Sequence, residues 1–248
     1  IDDVKINGGS DSSRFTLTYV DDATTFDLAF TAAPDYDAPS DSDADNTYEV
    51  ILKATDKDGE TATVTYTVVI QDVNESPSFT SSNTISRLEK TTSNPDDTSA
   101  LTVTATDPEN ATLTYSITGG NDQARFSIGS STGVLTFASA PDYDSALDSD
   151  TNNVYSVTVR VSDGTNNTDQ SIDITIVNVE EAPTITQPST TGFSVQENWS
   201  SAITTLDFSD PDFEVITDAN VSYLLSGADQ GVFNLDQTTG ELTFLTAP

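Results

Sequence analysis

The chain repeats one sequence pattern at a spacing of about 107 residues, which is the distance from Pro34 to Pro141. The stretch TAAPDYD at 31–37 recurs as ASAPDYD at 138–144. QDVNESPSF recurs in the same way as VNVEEAPTI, and FLTAP at 244–248 begins the first pattern a third time. A fixed period of this length predicts an array of like modules, each of which has its own core.

Most segments between the turns alternate apolar and polar residues and are rich in β-branched types, which is typical of β-strands. The segments with this pattern are 46–56, 60–72, 99–107, 111–117, 153–163 and 171–179. Along VYSVTVRVSDG the residues Tyr155, Val157, Val159 and Val161 fall on one face, which we predict to be the core. Roughly seven short strands per hundred residues, separated by polar turns, predict antiparallel Greek-key, immunoglobulin-like β-sandwiches in an extended array.

The module boundaries are predicted in the acidic linkers that precede Pro77 and Pro183. We expect a partial repeat at 1–77 that lacks its opening strands, a complete repeat at 78–183, and a partial repeat at 184–248 that lacks its final strands. The chain is therefore expected to be a piece of a longer array, so its lack of targeting signals says nothing of the parent protein.

The composition excludes several classes of function. The net charge of −33, with only 8 basic residues, argues against binding to nucleic acids and to anionic membranes. The absence of Cys and His excludes disulfides, zinc sites, thiol catalysis and Ser-His-Asp chemistry. Paired carboxylates also occur in glycosidases, but here the pairs recur once per module, so we predict that the chain is not an enzyme.

Asp outnumbers Glu about three to one among the 41 acidic residues. Asp suits turns, and its short carboxylate is a common calcium ligand. A solvated acidic surface is the alternative explanation, but a solvated surface would not require acidic residues to cluster at equivalent points of each repeat.

Five motifs of the middle repeat occur in the order of an extracellular cadherin repeat. They are Glu89 in RLEK, TDPEN at 106–110, PDYD at 141–144, VSDG at 161–164 and VNVEEAP at 177–183. The chain resembles the cadherin family in this order and spacing. In that family a linker motif of the form Asp-x-Asn-Asp-Asn-x-Pro joins an early Glu, an acidic-x-acidic pair and acidic residues of the next repeat around calcium ions. The Thr/Asn/Asp-rich, Cys-free composition further resembles large bacterial surface adhesins.

The resemblance implies a set of calcium ligands at each linker. At the first linker these are Asp35, Asp37, Asn74, Glu75, Asp107, Glu109 and Asp163, with the carbonyls of Val73 and Ser76. At the second linker they are Glu89, Asp142, Asp144, Glu180, Glu181, Asp210 and Asp212, with the carbonyl of Val179.

Both linkers depart from the family pattern. The first has Glu75 and Ser76 where the pattern has Asp and Asn, and the second has Glu180 at the Asn position. Lys90 stands beside the early Glu89, which is expected to weaken the second site. These departures affect the number and affinity of the ions.

The chemistry of the residues supports calcium without the resemblance. Calcium takes six to eight oxygen ligands, whereas magnesium prefers a tight octahedron with several waters. Two like charges about 4 Å apart repel by about 4 kcal/mol at an effective dielectric constant near 20, so such a cluster should separate without a cation and close around one.

The sequence thus predicts a calcium-rigidified adhesion array at the extracellular, membrane-associated surface of a cell. The expected partners are a like or unlike cell-surface protein or a surface glycan. An array of carbohydrate-binding modules and a passive spacer of a larger adhesin are the alternatives. Because residues 184–248 and 35–77 together make about one period, we also expect head-to-tail association, in which the end of one molecule complements the start of another; independent folding of each partial repeat is the alternative.

Overall fold

The computed structural model describes residues 3–20, 25–91, 93–187, 192–212 and 223–248. The regular structure there is almost entirely β-strand. The strands are β1 (Asp3–Gly8), β2 (Phe15–Val20), β3 (Thr25–Phe30), β4 (Thr47–Thr55), β5 (Thr61–Val69), β6 (Ser78–Phe79), β7 (Thr84–Leu88), β8 (Ser99–Thr102), β9 (Ala105–Thr106), β10 (Thr114–Gly119), β11 (Phe126–Ile128), β12 (Val134–Phe137), β13 (Val154–Ser162), β14 (Asn167–Val177), β15 (Thr184–Gln187), β16 (Thr204–Thr205), β17 (Asp207–Ser209), β18 (Phe233–Leu235) and β19 (Glu241–Phe244).

Helical structure in this part of the chain is short. It consists of the 3₁₀ turns Ser12–Arg14, Gln123–Arg125 and Gln230–Val232. Each of these turns leads directly into a strand that begins with Phe. Among the described residues, no helix has the length and apolar character needed to cross a membrane.

The alternating pattern predicts the strands well. Segments 46–56, 60–72 and 153–163 form β4, β5 and β13. Burial along β13 alternates residue by residue, and its predicted core face is confirmed. The predicted strand 99–107 is instead divided, because β8 pairs with β12 whereas β9 pairs with β6, so the segment changes sheets.

Contacts divide the chain into two compact units. The first contains Ile1–Thr80, Thr104–Thr114 and Val161–Thr168, and the second contains Ser81–Val103, Tyr115–Arg160 and Asp169–Pro248. Neither division falls at Pro77 or Pro183, so the repeat boundaries in the linkers stay a prediction of the sequence.

The first unit has a core of aromatic and β-branched side chains. It contains the sheet β1–β4–β5 and the hairpin β2–β3. Phe15, Tyr48 and Val50 are buried, and Phe30 packs edge-on against Tyr48 with ring centroids 5.1 Å apart. In contrast, Tyr66 on β5 is 47% exposed, although its alternating pattern predicts a buried face.

The second unit repeats this arrangement of aromatic rings. Phe126, Phe137 and Tyr155 are all buried and correspond to Phe15, Phe30 and Tyr48 of the first unit. The surrounding sheets have the orders β10–β13–β14–β7 and β11–β12–β8. Recurrence of the same packed trio supports the inference of like modules.

The pairing of β7 with β14 departs from the predicted antiparallel pattern. Strand β14 pairs with β7 in parallel, with a register that runs from Asp173 opposite Thr84 to Val177 opposite Leu88. Both strands therefore end at the same edge, where the Glu89 N–H donates to the Val177 carbonyl at 3.2 Å. The order of the strands in the sequence did not predict this parallel pairing. The pairing places the early Glu89 beside the second linker.

A buried aspartate fixes a long loop in each unit. Asp122 is 4% exposed and its carboxylate accepts the N–H groups of Ser149, at 2.6 Å, and Ser156, at 2.8 Å. Asp11 accepts those of Ser42 and Glu49 in the same way. Burial raises the pKa of Asp11, but these hydrogen bonds outweigh burial and hold the pKa below its usual value.

We predict that Asp122→Ala lowers the free energy of unfolding by about 2–4 kcal/mol, because two backbone N–H groups lose a buried, charged acceptor. Urea unfolding measures the change, and amide hydrogen exchange at Ser149 and Ser156 should accelerate. Asp27→Ala, on the exposed face of β3, removes the same charge and should change stability by about 0.5 kcal/mol or less. Equal stability of the two variants would contradict the role of Asp122 in holding the loop.

Candidate metal centres

Four carboxylates of the first unit converge in what we call the first linker cluster: Asp37, Asp72, Glu75 and Glu109. Each offers one oxygen, and these oxygens all lie within 4.8 Å of one another. Asp37 lies in the loop after β3, Asp72 and Glu75 follow β5, and Glu109 lies in the turn after β9. Three separate segments of one unit therefore supply the cluster.

The turn after β9 holds its acidic side chains by local hydrogen bonds. Asp107 is 8% exposed, and its Oδ1 accepts the Ala111 N–H at 3.0 Å. Glu109 Oε1 accepts the Glu75 N–H at 3.3 Å. The second oxygens of both carboxylates, Asp107 Oδ2 and Glu109 Oε2, are buried and have no hydrogen-bond partner in the described protein. Buried acceptors of this kind usually have a partner, so these two oxygens require an explanation.

Other predicted ligands of the first linker orient the backbone instead of converging. Asn74 Nδ2 donates to Asp163 Oδ2 at 2.8 Å, and Asn166 Nδ2 donates to the Asn74 carbonyl at 2.9 Å. The bond from Asn74 lowers the pKa of Asp163. Asp35 Oδ1 accepts the N–H groups of Asp37, at 3.0 Å, and Ala38.

Repulsion within the first linker cluster is relieved by one shared proton. The hydrogen bond to Glu109 raises the pKa of Glu75 to about 7, and desolvation and the charge of Glu109 add to the shift. The same hydrogen bond lowers the pKa of Glu109. A proton on Glu75 would therefore be shared with Glu109. Desolvation, followed by the charge of Glu109, also raises the pKa of Asp37.

Five carboxylates of the second unit form the second linker cluster, which consists of two groups that share Asp144. One group contains Glu89, Asp142 and Asp144, and the other contains Asp144, Glu181 and Asp212. Within each group the ligand oxygens lie within 4.8 Å of one another. Desolvation, followed by the charge of Glu89, raises the pKa of both Asp144 and Glu181.

Glu89 organises the second linker cluster. It is 3% exposed, and its two oxygens accept the N–H groups of Tyr143 and Val179, both at 2.7 Å. One side chain thus ties the PDYD loop to the linker. Its position follows from the parallel β7–β14 pair, which brings Leu88 beside Val177.

The far side of the second linker cluster is held from the segment after β17. Asp212 Oδ2 accepts the Glu181 N–H at 2.7 Å, and Asp210 Oδ1 accepts the Asp212 N–H at 3.1 Å. Glu181 Oε2 and Asp212 Oδ1 are buried without a hydrogen-bond partner in the described protein. The sequence counterparts of this pair are Glu75 and Glu109, so both linkers contain the same kind of acidic pair.

A lysine already occupies part of the second linker cluster. Lys90 Nζ donates to Asp142 Oδ2, and this hydrogen bond raises the pKa of Lys90. Asp142 also accepts the Ser145 N–H through its Oδ1. Lys90 therefore contacts one of the predicted ligands, and the weakening of this site by Lys90 stays a prediction.

The structure brings most of the predicted side chains together. The predicted residues that lie in the two clusters are Asp37, Glu75, Glu109, Glu89, Asp142, Asp144, Glu181 and Asp212. Those that orient the linkers or adjoining turns are Asp35, Asn74, Asp107, Asp163 and Asp210. The carbonyls of Val73, Ser76 and Val179 stay predictions.

Two residues differ from the expectation. Glu180 is exposed and lies outside the groups of converging carboxylates among the described residues. Its counterpart Asn74 donates an amide hydrogen bond, which a carboxylate cannot do. Asp72 was missing from the predicted ligands, although its place at the start of the linker motif was a signal for it.

We predict that Glu75 titrates with a midpoint near pH 7 in metal-free protein, as measured by carbon NMR of its carboxyl group in chelator. Since its folded pKa is raised, the shared proton stabilises the linker at lower pH, and this contribution is lost as the pH rises through about 7. Glu109→Gln removes the neighbouring charge and should lower the midpoint. Asp27→Asn is the matched control, and a midpoint that is the same in all three proteins would contradict the shared proton.

Known proteins resemble this chain in sequence and in fold. Residues 90–180 match the family described as Cadherin domain. The chain is 33% identical over 156 residues to Protocadherin Fat 4 of Mus musculus, and 31% identical over 156 residues to Protocadherin Fat 4 of Homo sapiens. Each match covers 57% of this chain and 3% of the relative, so the chain spans a small part of these proteins.

Solved structures show the same fold at lower sequence identity. The Protocadherin GammaB4 extracellular domain has a TM-score of 0.53 at 22% identity, over 99% of this chain and 39% of that chain. The Protocadherin gammaB7 EC3-6 cis-dimer structure has a TM-score of 0.55 at 20% identity, over 98% of this chain and 58% of that chain. Together with the sheets and the repeated linkers, these matches show that the chain is an all-β protein of cadherin-like β-sandwich repeats in tandem.

Proposed function

We propose that the chain is part of a calcium-binding, non-catalytic adhesion array at the cell surface, in which calcium stiffens the linkers. The observation that carries this proposal is the pair of linker clusters, each with buried carboxylate oxygens that have no hydrogen-bond partner in the described protein. Two equivalent clusters at successive linkers favour a role that recurs with the repeat over a single active site.

The donor set fits calcium. All the converging side chains are carboxylates, and hard cations prefer oxygen ligands. In the first linker, Asp37, Asp72, Glu75, Asp107 and Glu109 would hold the ion. In the second, the ligands would be Glu89, Asp144, Glu181, Asp212 and, in competition with Lys90, Asp142. The bound ion would supply divalent positive charge, which offsets the repulsion that one proton and one lysine offset only in part.

The protein's own residues keep the linkers in a shape that suits the ion. The hydrogen bond from Asn74 fixes Asp163, and Glu89 fixes both the linker and the PDYD loop. Thr168 Oγ1 also donates to the Pro77 carbonyl at 2.6 Å, directly after the first linker. All of these hydrogen bonds lie within the protein, so they hold the linkers without a bound cation.

Adhesion and location follow from the relatives as part of the same proposal. The matches are to protocadherins, and one solved relative is described as a cis-dimer. The proposed partners are a second copy of the chain or another cell-surface protein, and a surface glycan stays a prediction of the sequence. The bacterial origin rests on composition alone, whereas the relatives named above are from mouse and human.

A specific surface favours self-association. Strand β5 lies at the edge of its described sheet, and Val64 and Tyr66 on it are 46% and 47% exposed. The counterpart of Tyr66 in the middle repeat is Ile172, which is 0% exposed. In the second unit the counterpart of β5, strand β14, pairs with β7, so we propose that a strand from a second copy of the chain pairs with β5 in the same place.

We expect calorimetry to show calcium binding at both linkers with dissociation constants of about 10⁻⁴–10⁻³ M. Glu75→Ala should weaken the first site by about tenfold or more and leave the second unchanged, because the two clusters share no residue. Glu181→Ala should do the reverse. Small-angle scattering should show a stiffer chain in calcium than in chelator.

The control for these variants is Glu60→Ala, which removes an exposed acidic side chain in the turn between β4 and β5. No calcium uptake at millimolar concentration would contradict the proposed sites. Scattering curves that are identical in calcium and chelator would contradict stiffening while leaving binding intact.

For self-association, we expect the mass in sedimentation velocity to rise with protein concentration. Tyr66→Asp should abolish the rise because it places a charge on the exposed apolar face. Thr65→Asp places the same charge on the opposite face of β5 and is the control. A wild-type chain that stays monomeric at high concentration would exclude pairing through β5.

A further inference from the structure

A third group of carboxylates lies outside both linker clusters. Asp41, Asp43 and Asp45 lie in the loop between β3 and β4, which we call the Asp41 loop (residues 41–46). One oxygen from each lies within 4.8 Å of the others. A group of acidic residues alone proves nothing, since exposed carboxylates commonly occur near each other without a metal.

The Asp41 side chain supplies an independent observation. It is 9% exposed, and its Oδ2 accepts the Asp45 N–H at 2.7 Å. Its Oδ1 is buried and has no hydrogen-bond partner in the described protein. Leaving a buried charged acceptor without a partner is costly, and this oxygen belongs to a carboxylate that already faces two others.

The middle repeat contains the same arrangement in the Asp148 loop (residues 148–153). Asp148 is 5% exposed, its Oδ2 accepts the Asn152 N–H at 2.8 Å, and its Oδ1 is buried without a partner in the described protein. Asp150 replaces Asp43, and Asn152 replaces Asp45. Two loops in different units thus leave the same oxygen unpartnered, which a chance side-chain placement does not explain.

Three side chains outside the acidic group hold the Asp41 loop in place: Asp11, Tyr48 and Asn46. Asp11 Oδ1 accepts the Ser42 N–H at 2.7 Å, and the Tyr48 hydroxyl accepts the Ser40 N–H at 3.2 Å. Asn46 Nδ2 donates to the Tyr36 carbonyl at 2.9 Å, while Asn46 Oδ1 is another buried oxygen without a partner in the described protein. The loop is therefore preorganised, and both its acidic and its amide side chains have oxygens available.

We propose that the Asp41 loop is a calcium site within the repeat, separate from the linker sites, and that the Asp148 loop is its second copy. The donors are carboxylate and amide oxygens, as calcium prefers, with no nitrogen or sulfur ligand for zinc. The Asp41 loop has three carboxylates and the Asp148 loop has two, so the first loop binds calcium more tightly.

The test is a calcium titration of the full chain followed by amide NMR, at physiological ionic strength so that general charge screening is constant. Amides of 42–46 and 149–153 should shift and saturate by about 10 mM calcium. Amides of Glu75, Glu109 and Glu181 report the linkers in the same spectra. A failure of the linker sites is thereby distinguished from a failure of the loop sites.

Asp43→Asn is the decisive variant, because Asp43 is exposed and the change keeps the size of the side chain. It should weaken binding at 42–46 by about tenfold or more and leave both the linkers and the Asp148 loop unchanged. Asp150→Asn should act only on the Asp148 loop. Asp27→Asn removes the same charge elsewhere and should change no site.

A second variant, at Asp45, changes the charge of the loop while it keeps the loop's hydrogen bonds. Asp45→Asn preserves the acceptor for the Thr47 N–H, as Asn152 does for Val154 in the middle repeat. It should make the affinity of the Asp41 loop approach that of the Asp148 loop. Loop amides that do not move while the linker amides saturate would overturn the proposal, and so would equal calcium affinity at 42–46 in wild type and Asp43→Asn.

Discussion

Repulsion between neighbouring carboxylates is the constraint on which the ends of the repeats depend. The chain has a net charge of −33, yet it holds groups of acidic oxygens within 4.8 Å. The structure reduces this repulsion in two ways: a proton shared by Glu75 and Glu109, and the ammonium of Lys90 on Asp142. Each of these neutralises one contact and leaves the other oxygens of its cluster crowded.

The two linkers differ in how they reduce this repulsion. In the first, the proton of Glu75 leaves as the pH rises through about 7, so the cluster becomes more negative within the physiological range. In the second, Lys90 stays charged, and its pKa is raised further by Asp142. The repeats are therefore alike in fold but unlike in electrostatics, and we expect equivalent substitutions in the two linkers to have unequal effects.

The sequence predicted the features that depend on local pattern. Alternation identified β13 and its buried face, because a strand on a sandwich must place every second residue in the core. The spacing of acidic motifs identified most of the converging carboxylates, since each motif follows or precedes a strand whose end is fixed by the sheet. Asp72 also fits this reasoning, although it was not included in the predicted set.

The remaining features depend on partners that a linear pattern does not reveal. The division of 99–107 follows from which strand pairs with each half. Glu180 is exposed, which its place in the linker motif does not reveal. The Asp41 and Asp148 loops read as ordinary polar turns in the sequence. They differ from ordinary turns only in that Asp41 and Asp148 are buried. Hydrogen bonds from the loops to Asp11 and Asp122 hold them in that position.

The parallel pairing of β7 with β14 has a mechanical consequence. These strands lead into Glu89 and Val179 at the second linker, and they run in the same direction over five paired positions, which on β7 extend from Thr84 to Leu88. When the two ends of such a pair are pulled apart along the strand axis, the hydrogen bonds are loaded in shear and must break together. An antiparallel pair pulled from one end opens one bond at a time. Tension applied through the start of β7 and the end of β14 would therefore load all five paired positions together.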